Sequence, residues 1–160
     1  MRLIESDAFD DCYSLTAFSV NPFSSYYGSY LGCLFNAGET NLIRYPIGNS
    51  ETNFIIPIGT VRIEEKSFKG ASKIEVLNIR SSVKSIGSYA FEDMKSLRKI
   101  NFDGTVGPQC DATTFHNTNV KEISVPKNYL TNNKTFCGVA INSSMNMMIG
   151  FSLILFFFIF

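Results

Sequence analysis

SIGSYAFEDMKSLRKINF, residues Ser85–Phe102, places apolar side chains at Ile86, Ala90, Phe91, Met94, Leu97, Ile100 and Phe102. The spacing is uneven. The first half fits a short turn or helix. The second half fits a strand, in which Ile100 and Phe102 face a core while Lys99 and Asn101 face outward. The switch of period has an explanation, because the same pattern recurs elsewhere in the chain.

IESDAFDDCYSLTAFSV (Ile4–Val20) and IEEKSFKGASKIEVLNI (Ile63–Ile79) match IGSYAFEDMKSLRKINF (Ile86–Phe102) position for position. Phe9, Phe68 and Phe91 stand five residues after the leading Ile. Leu15, Ile74 and Leu97 follow, then Phe18, Leu77 and Ile100, and Val20, Ile79 and Phe102 close the units. A weaker copy, CDATTFHNTNVKEISV (Cys110–Val125), carries Phe115, Val120, Ile123 and Val125. Ile56, Ile79, Phe102 and Val125 are each 23 residues apart. A fixed period of this size is the mark of a solenoid. One unit is too short to bury its own Phe, whereas stacked units place Phe on Phe and share one core.

The spacing therefore predicts a mainly β repeat solenoid with short helical or 3-10 turns, a stack of about four 23-residue units over residues 1–130. The register breaks between Val20 and Phe54, where the step to Ile56 is longer. Leu31–Phe35 and Leu42–Tyr45 flank Asn36-Ala37-Gly38-Glu39-Thr40 there, which predicts a β-hairpin inserted at about residues 21–52 and projecting from the stack.

These residues resemble the BspA-like leucine-rich repeats of bacterial and protist surface proteins, whose unit reads V-x-x-I-G-x-x-A-F-x-x-C-x-x-L-x-x-I-x-I-P. VKSIGSYAFEDMKSLRKINF (Val83–Phe102) follows it closely, and Cys12, Pro57 and Pro126 match its Cys and Pro. GCLFNAGETNLIRYPIG (Gly32–Gly48) looks like a hairpin insertion that recurs in the family. Ala71, Met94 and Thr118 stand where the unit has Cys, and Cys110 where it has Ile. The resemblance implies a cell-surface protein used in adhesion, with a protein or glycan ligand.

Fourteen basic and fourteen acidic residues give no electrostatic reason to expect nucleic acid. Cys12, Cys33, Cys110 and Cys137 form no C-x-x-C pair, which argues against structural zinc and leaves room for one long-range disulfide. Nothing points to a cofactor, and no phosphate loop, nucleophile elbow or zinc-protease motif is present. A nucleophile pair of Cys110 with His116 can be drawn, but both occupy repeat positions and no orienting group accompanies them. Asp10-Asp11 and Glu64-Glu65 read as solvated turns. The expectation is a protein without catalysis.

Surface remains. The outward positions of the expected strands include Ser19, Asn53, Ile55, Asn78, Lys99, Asn101, Glu122 and Ser124, and together they define a candidate binding face. Tyr26, Tyr27, Tyr30 and Tyr45 form a second candidate patch, unless they pack on the stack themselves.

Residues 131–146 read as a polar stalk, and 147–160 (MMIGFSLILFFFIF) as a hydrophobic membrane-anchoring segment. Its 14 residues are short of the roughly 20 of a full span. A lipid-anchor signal needs small residues, a spacer and an apolar tail. Gly138 fits that cleavage site by spacing, and Asn142 and Ser143 fit by residue type. A tail anchor is the other reading. The stalk also holds two glycosylation sequons, at Asn133 and Asn142. The N-terminus shows no secretory signal and starts inside a repeat. The expected location is the cell surface, with an intracellular tail-anchored scaffold or a piece of a longer surface antigen as alternatives.

Overall fold

A computed structural model describes residues 4–130 and 135–141. The strands are β1 (Tyr27–Tyr30), β2 (Cys33–Asn36), β3 (Asn41–Arg44), β4 (Asn53–Ile55), β5 (Arg62–Ile63), β6 (Val76–Ile79), β7 (Ser85–Ile86), β8 (Lys99–Phe102), β9 (Glu122–Ser124), β10 (Thr135–Phe136) and β11 (Val139–Ala140). Two main sheets wrap the core. One has the order β4-β6-β8-β9 and is parallel throughout; the other has the order β1-β2-β3-β5-β7. Each turn of chain feeds one strand to each sheet, which is the solenoid that the period predicts. The first sheet keeps a step of 23 residues, pairing Phe54 with Leu77, Leu77 with Ile100, and Ile100 with Ile123.

The short helical turns expected before each strand are hydrogen-bonded turns, and no helix occurs among the described residues. Chain chirality explains why they do not propagate. Two residues after the ring, the backbone is left-handed in each of the four units that carry Phe there: Asp11 (φ 57°), Gly70 (φ 77°), Asp93 (φ 57°) and Asn117 (φ 53°). Gly, Asn and Asp are the residues that enter this region most easily. The Gly of the repeat's Ile-Gly pair answers a different need. A Cβ on Gly87 would sit 2.5 Å from the backbone nitrogen of Glu65 in the preceding turn.

The core is a set of columns. Tyr45, Phe68, Phe91 and Phe115 stack ring on ring, with centroids 5.0, 5.6 and 5.1 Å apart. Backbone bonds follow the same column: Tyr45 N–H donates to Ser67 C=O, Phe68 N–H to Ala90 C=O, and Phe91 N–H to Thr114 C=O. Ile74 and Leu97 form a second buried column, and Phe54, Leu77, Ile100 and Ile123 a third. Ala71 and Met94 are buried where the family unit has Cys, whereas Cys12 is only half-buried. Thr118, at the same position, donates to the Phe91 carbonyl (2.6 Å) and accepts from the Met94 N–H (3.3 Å), tying the irregular last unit to its neighbour.

Two expectations need correction. The hairpin does not project from the stack. β2 and β3 are antiparallel around a four-residue loop, Ala37–Thr40, closed by Asn36 Oδ1 accepting the Thr40 and Asn41 N–H groups. β3 then pairs in parallel with β5, so it is the first strand of a solenoid unit, with Leu42 and Tyr45 in the leading Ile and Phe slots. Leu42 precedes its ring by three residues rather than five, which hides the unit in the sequence. β1 and β2 extend that sheet as an antiparallel end. The second correction concerns the N-terminal unit. Ile4–Val20 matches the repeat but forms no strand. Phe9 packs edge-on against Phe18 at 4.8 Å, and both are half-buried.

Arg44 holds that unit in place. It is 3% exposed. Its guanidinium donates to the carbonyls of Lys66 (2.7 Å), Phe9 (3.1 Å) and Ser6 (3.4 Å) and pairs with Asp10 at 3.0 Å. Lys69 continues the charge ladder, bridging Asp10 (3.2 Å) and Glu92 (3.3 Å). Burial lowers the Lys69 pKa, but the hydrogen bonds it donates to Asp10 and Glu92 outweigh it and leave it raised.

At the other end, Thr135–Ile141, expected in the stalk, packs on the solenoid instead. β10 and β11 pair as a hairpin across Cys137-Gly138. Phe136 is fully buried with its ring 5.1 Å from Phe102. Cys137 forms a disulfide with Cys110 across 27 residues, the one long-range bridge for which the cysteine spacing leaves room. Closing a loop of that length stabilises the fold by about 3–4 kcal/mol on the chain-entropy account. Among the described residues no helix is long and apolar enough to cross a membrane; the segment 147–160 lies outside them.

Replacing an inner ring of the column removes contacts on both sides. Phe91→Ala is expected to lose about 3–5 kcal/mol of unfolding free energy, and Phe9→Ala, at a half-buried site, clearly less. Urea denaturation of the two variants measures both.

Candidate binding face

The outward residues of the β4-β6-β8-β9 sheet come together as the period requires. In β6 and β8, partly exposed and fully buried residues alternate, so that Val76, Asn78, Lys99 and Asn101 lie on the outer face. Asn53, Ile55, Glu122 and Ser124 occupy the matching positions of β4 and β9. Ser19 does not join them. It is exposed on a segment that belongs to no strand, next to Val20, whose N–H donates to Ser29 Oγ. Seven of the eight sequence-derived residues thus share one sheet face.

Their side chains are coupled across the strands. Asn101 Nδ2 donates to Asn78 Oδ1 at 2.9 Å, and Asn78 Nδ2 donates to Asn53 Oδ1 at 2.7 Å. This amide ladder fixes three side chains in one orientation at the strand spacing, roughly 4.8 Å. Beside it, Lys99 Nζ lies 2.6 Å from Glu122 Oε1, and Ser124 Oγ donates to the same carboxylate at 3.2 Å. The hydrogen bond from Lys99 holds the Glu122 carboxyl below its ordinary value of 4.5, against the smaller opposing effect of burial, and Ser124 assists. Ile55, 45% exposed, adds apolar surface at the β4 end.

At the C-terminal ends of these strands the ladder borders a groove of about 500 Å³. Asn78, Asn101 and Ser124 form its polar rail, and Ile79, Phe102, Val125 and Pro126 its apolar side. Arg80 and Asp103, paired at 3.2 Å, stand at its edge. Rigid amides beside an apolar wall suit the recognition of a neutral, hydrogen-bonding ligand. The rail is legible in the sequence through its period. The groove is not, because it depends on how the turns after β6 and β8 leave the sheet.

The tyrosine patch divides. Tyr45 is buried in the aromatic column, and burial pushes its phenol well above the ordinary range. Tyr26 and Tyr30 remain about half exposed. The Cys110–His116 pair is not assembled: Cys110 is bridged to Cys137, and His116 Nδ1 lies 2.8 Å from Glu92 on an exposed turn. Among the described residues no group of His, Cys, Asp and Glu could hold a metal ion. Cys33 is a buried thiol, raised by burial to about 12. Of the anchor residues, Gly138 occupies the β10–β11 turn at φ +80°, while Asn142 and Ser143 lie outside the described residues.

Parallel strands repeating every 23 residues around stacked rings define a leucine-rich-repeat-like solenoid. The chain belongs to the BspA type leucine-rich repeat family, whose model matches residues 47–151 with six copies. Among solved structures it is similar to a leucine-rich cell surface protein of Faecalibacterium prausnitzii, at 20% identity, TM-score 0.48, over 74% of this chain and 44% of that one. It is similar to the pneumococcal vaccine antigen PcpA at 16% identity, TM-score 0.49, over 76% and 42%. A leucine-rich repeat protein of Eubacterium ventriosum matches at 20% identity, TM-score 0.46, over 77% and 38%. The chain spans less than half the length of each of these three. A comparison with curated proteins finds no match.

A carboxylate whose pKa is depressed by folding stabilises the fold above its unfolded value and loses that contribution as pH falls through the folded one. Glu122 should therefore titrate below 4.5 in the native protein. In Lys99→Ala the midpoint should rise toward that value. Carbon-detected NMR titration of the Glu122 carboxyl checks both.

Proposed function

We propose that this chain is a non-catalytic cell-surface repeat protein that binds a protein or glycan through the β4-β6-β8-β9 face, and that its C-terminal segment holds it at a membrane. The observation that carries the reading is the Cys110–Cys137 disulfide. Disulfides persist in oxidising surroundings, on secreted and surface proteins, and are rare in the cytosol. The bridge closes the C-terminal end of the stack, so it belongs to the framework of the fold. Solenoids of this kind bind through extended sheet faces, and here that face carries oriented amides beside a groove. Family membership supports the same reading, because BspA-like repeats are a surface-protein module.

The apolar segment 147–160 supports membrane attachment, with no charge after Lys134 to hold it in water. Gly138 and the pair Asn142 and Ser143 are the proposed lipid-anchor positions. Cleavage at Gly138 would cut the hairpin whose first strand buries Phe136 and would part β10 from β11. The reading therefore favours Asn142 and Ser143, which leave the hairpin whole.

An epitope placed between Gly38 and Glu39, in the exposed β2–β3 loop, tests the reading without touching the stack. Staining of live, unpermeabilised cells is expected. Staining only after permeabilisation would exclude the surface role and leave an intracellular scaffold.

A further inference from the structure

We infer that the Cys110–Cys137 disulfide is a mechanical clamp that carries tension from the C-terminal tail directly to the leading position of the last solenoid unit, sparing residues 111–136. The inference rests on the proposed attachment through the C-terminus, since a tethered chain whose face holds a ligand is pulled from that end.

The order of contacts along the chain makes the case. Without the bridge, a pull on the tail would meet the weakest elements first. Among the described residues β10 and β11 pair only with each other, through two residue pairs, and belong to neither main sheet. Next come Leu130, whose N–H donates to Thr105 C=O and which bridges in parallel to Val106, and then β9, the edge strand of its sheet, held to β8 by three residue pairs. Parallel edge strands loaded from one end give way pair by pair, so this part of the chain would peel before the inner turns. That would carry away Glu122 and Ser124 of the candidate face, and with them one side of the groove.

With the bridge in place, tension reaches Cys137 and passes through sulfur to Cys110. Cys110 follows Gln109, whose N–H donates to Lys84 C=O and whose C=O accepts from Ile86 N–H, both at 2.8 Å. Gln109 bridges in parallel to Ser85, within β7. The load thus enters at the leading position of the last unit, beside β7 and the buried side chain of Ile86. The loop from Cys110 to Cys137 carries none of it, and β9 keeps its place beside β8. The disulfide joins the leading position of the last unit to the hairpin that follows it, spanning the one strand of the binding face that would otherwise be lost first.

Pulling the purified full-length chain by its two ends in detergent, in an optical trap, tests this. The oxidised protein should unfold without an early low-force step. Its total length gain should be about 9 nm short of the whole chain, because the bridge holds at 5.4 Å what would otherwise be 27 spans of roughly 3.6 Å each. Reduction of the folded protein with a phosphine converts the bridge to two thiols as phosphine and water give the phosphine oxide. The missing length should then appear as a separate step at lower force, before the main event. A Cys137→Ser variant should behave as the reduced protein; reduction after folding covers the case in which it does not fold. Identical traces with and without reductant would overturn the inference. So would release of the extra length within the main event, since nothing would then have been shielded. The trap reads the purified chain, so its result stands apart from the live-cell staining that tests the location.

Discussion

The aromatic column from Tyr45 to Phe115 is the constraint on which the rest depends. A 23-residue turn of chain cannot surround a phenyl ring by itself. It can supply one face and must borrow the other from the next turn. Ring centroids 5.0–5.6 Å apart mean that the sheets follow the column, because strands pair at a similar separation. The same requirement fixes the register. A slip of one residue would turn Leu77, Ile100 and Ile123 outward and Asn78 and Asn101 inward, exposing the core and burying amides. The candidate binding face is therefore a by-product of core packing: the residues that face solvent do so because their neighbours must stack.

That dependence explains what the sequence could show. The five columns of the units at Ile63 and Ile86 are plain, because the period there is strict and every column residue is apolar. The candidate face followed from alternation, and seven of its eight positions share a sheet. Ser19 was misplaced for a physical reason. The Ile4–Val20 segment keeps the repeat pattern but forms no strand, and it is held by Arg44 and Asp10 rather than by strand pairing. The unit containing Tyr45 was missed because it is two residues short between Leu42 and its ring, and because Tyr stands for Phe. Arg44 was invisible to any pattern search, since its partners are backbone carbonyls far along the chain. The disulfide pairing was equally beyond reach: only the stack brings Cys110 and Cys137 together.

Function follows the division between core and surface. The solenoid spends its apolar residues on the columns and leaves outward a narrow band of amides, one ion pair and a groove. Such a surface is rigid, because each ladder amide is held by the next. Rigid presentation lowers the ordering cost of binding, and the clamp at the C-terminal end preserves it under load. The charged turns on another edge of the stack, Asp10, Lys69, Glu92 and His116, are paired with one another from turn to turn, which suits them to holding the stack in register.

The most direct test of the account is native-state hydrogen exchange at the backbone amides of Tyr45, Phe68 and Phe91, each of which donates to the next turn. If one continuous column holds the stack, the three should exchange with a common opening free energy and lose protection together as denaturant is added. If Tyr45 exchanges at the rate of an open loop while Phe68 and Phe91 stay protected, β3 is an appendage. The claim that the column begins there would then be contradicted.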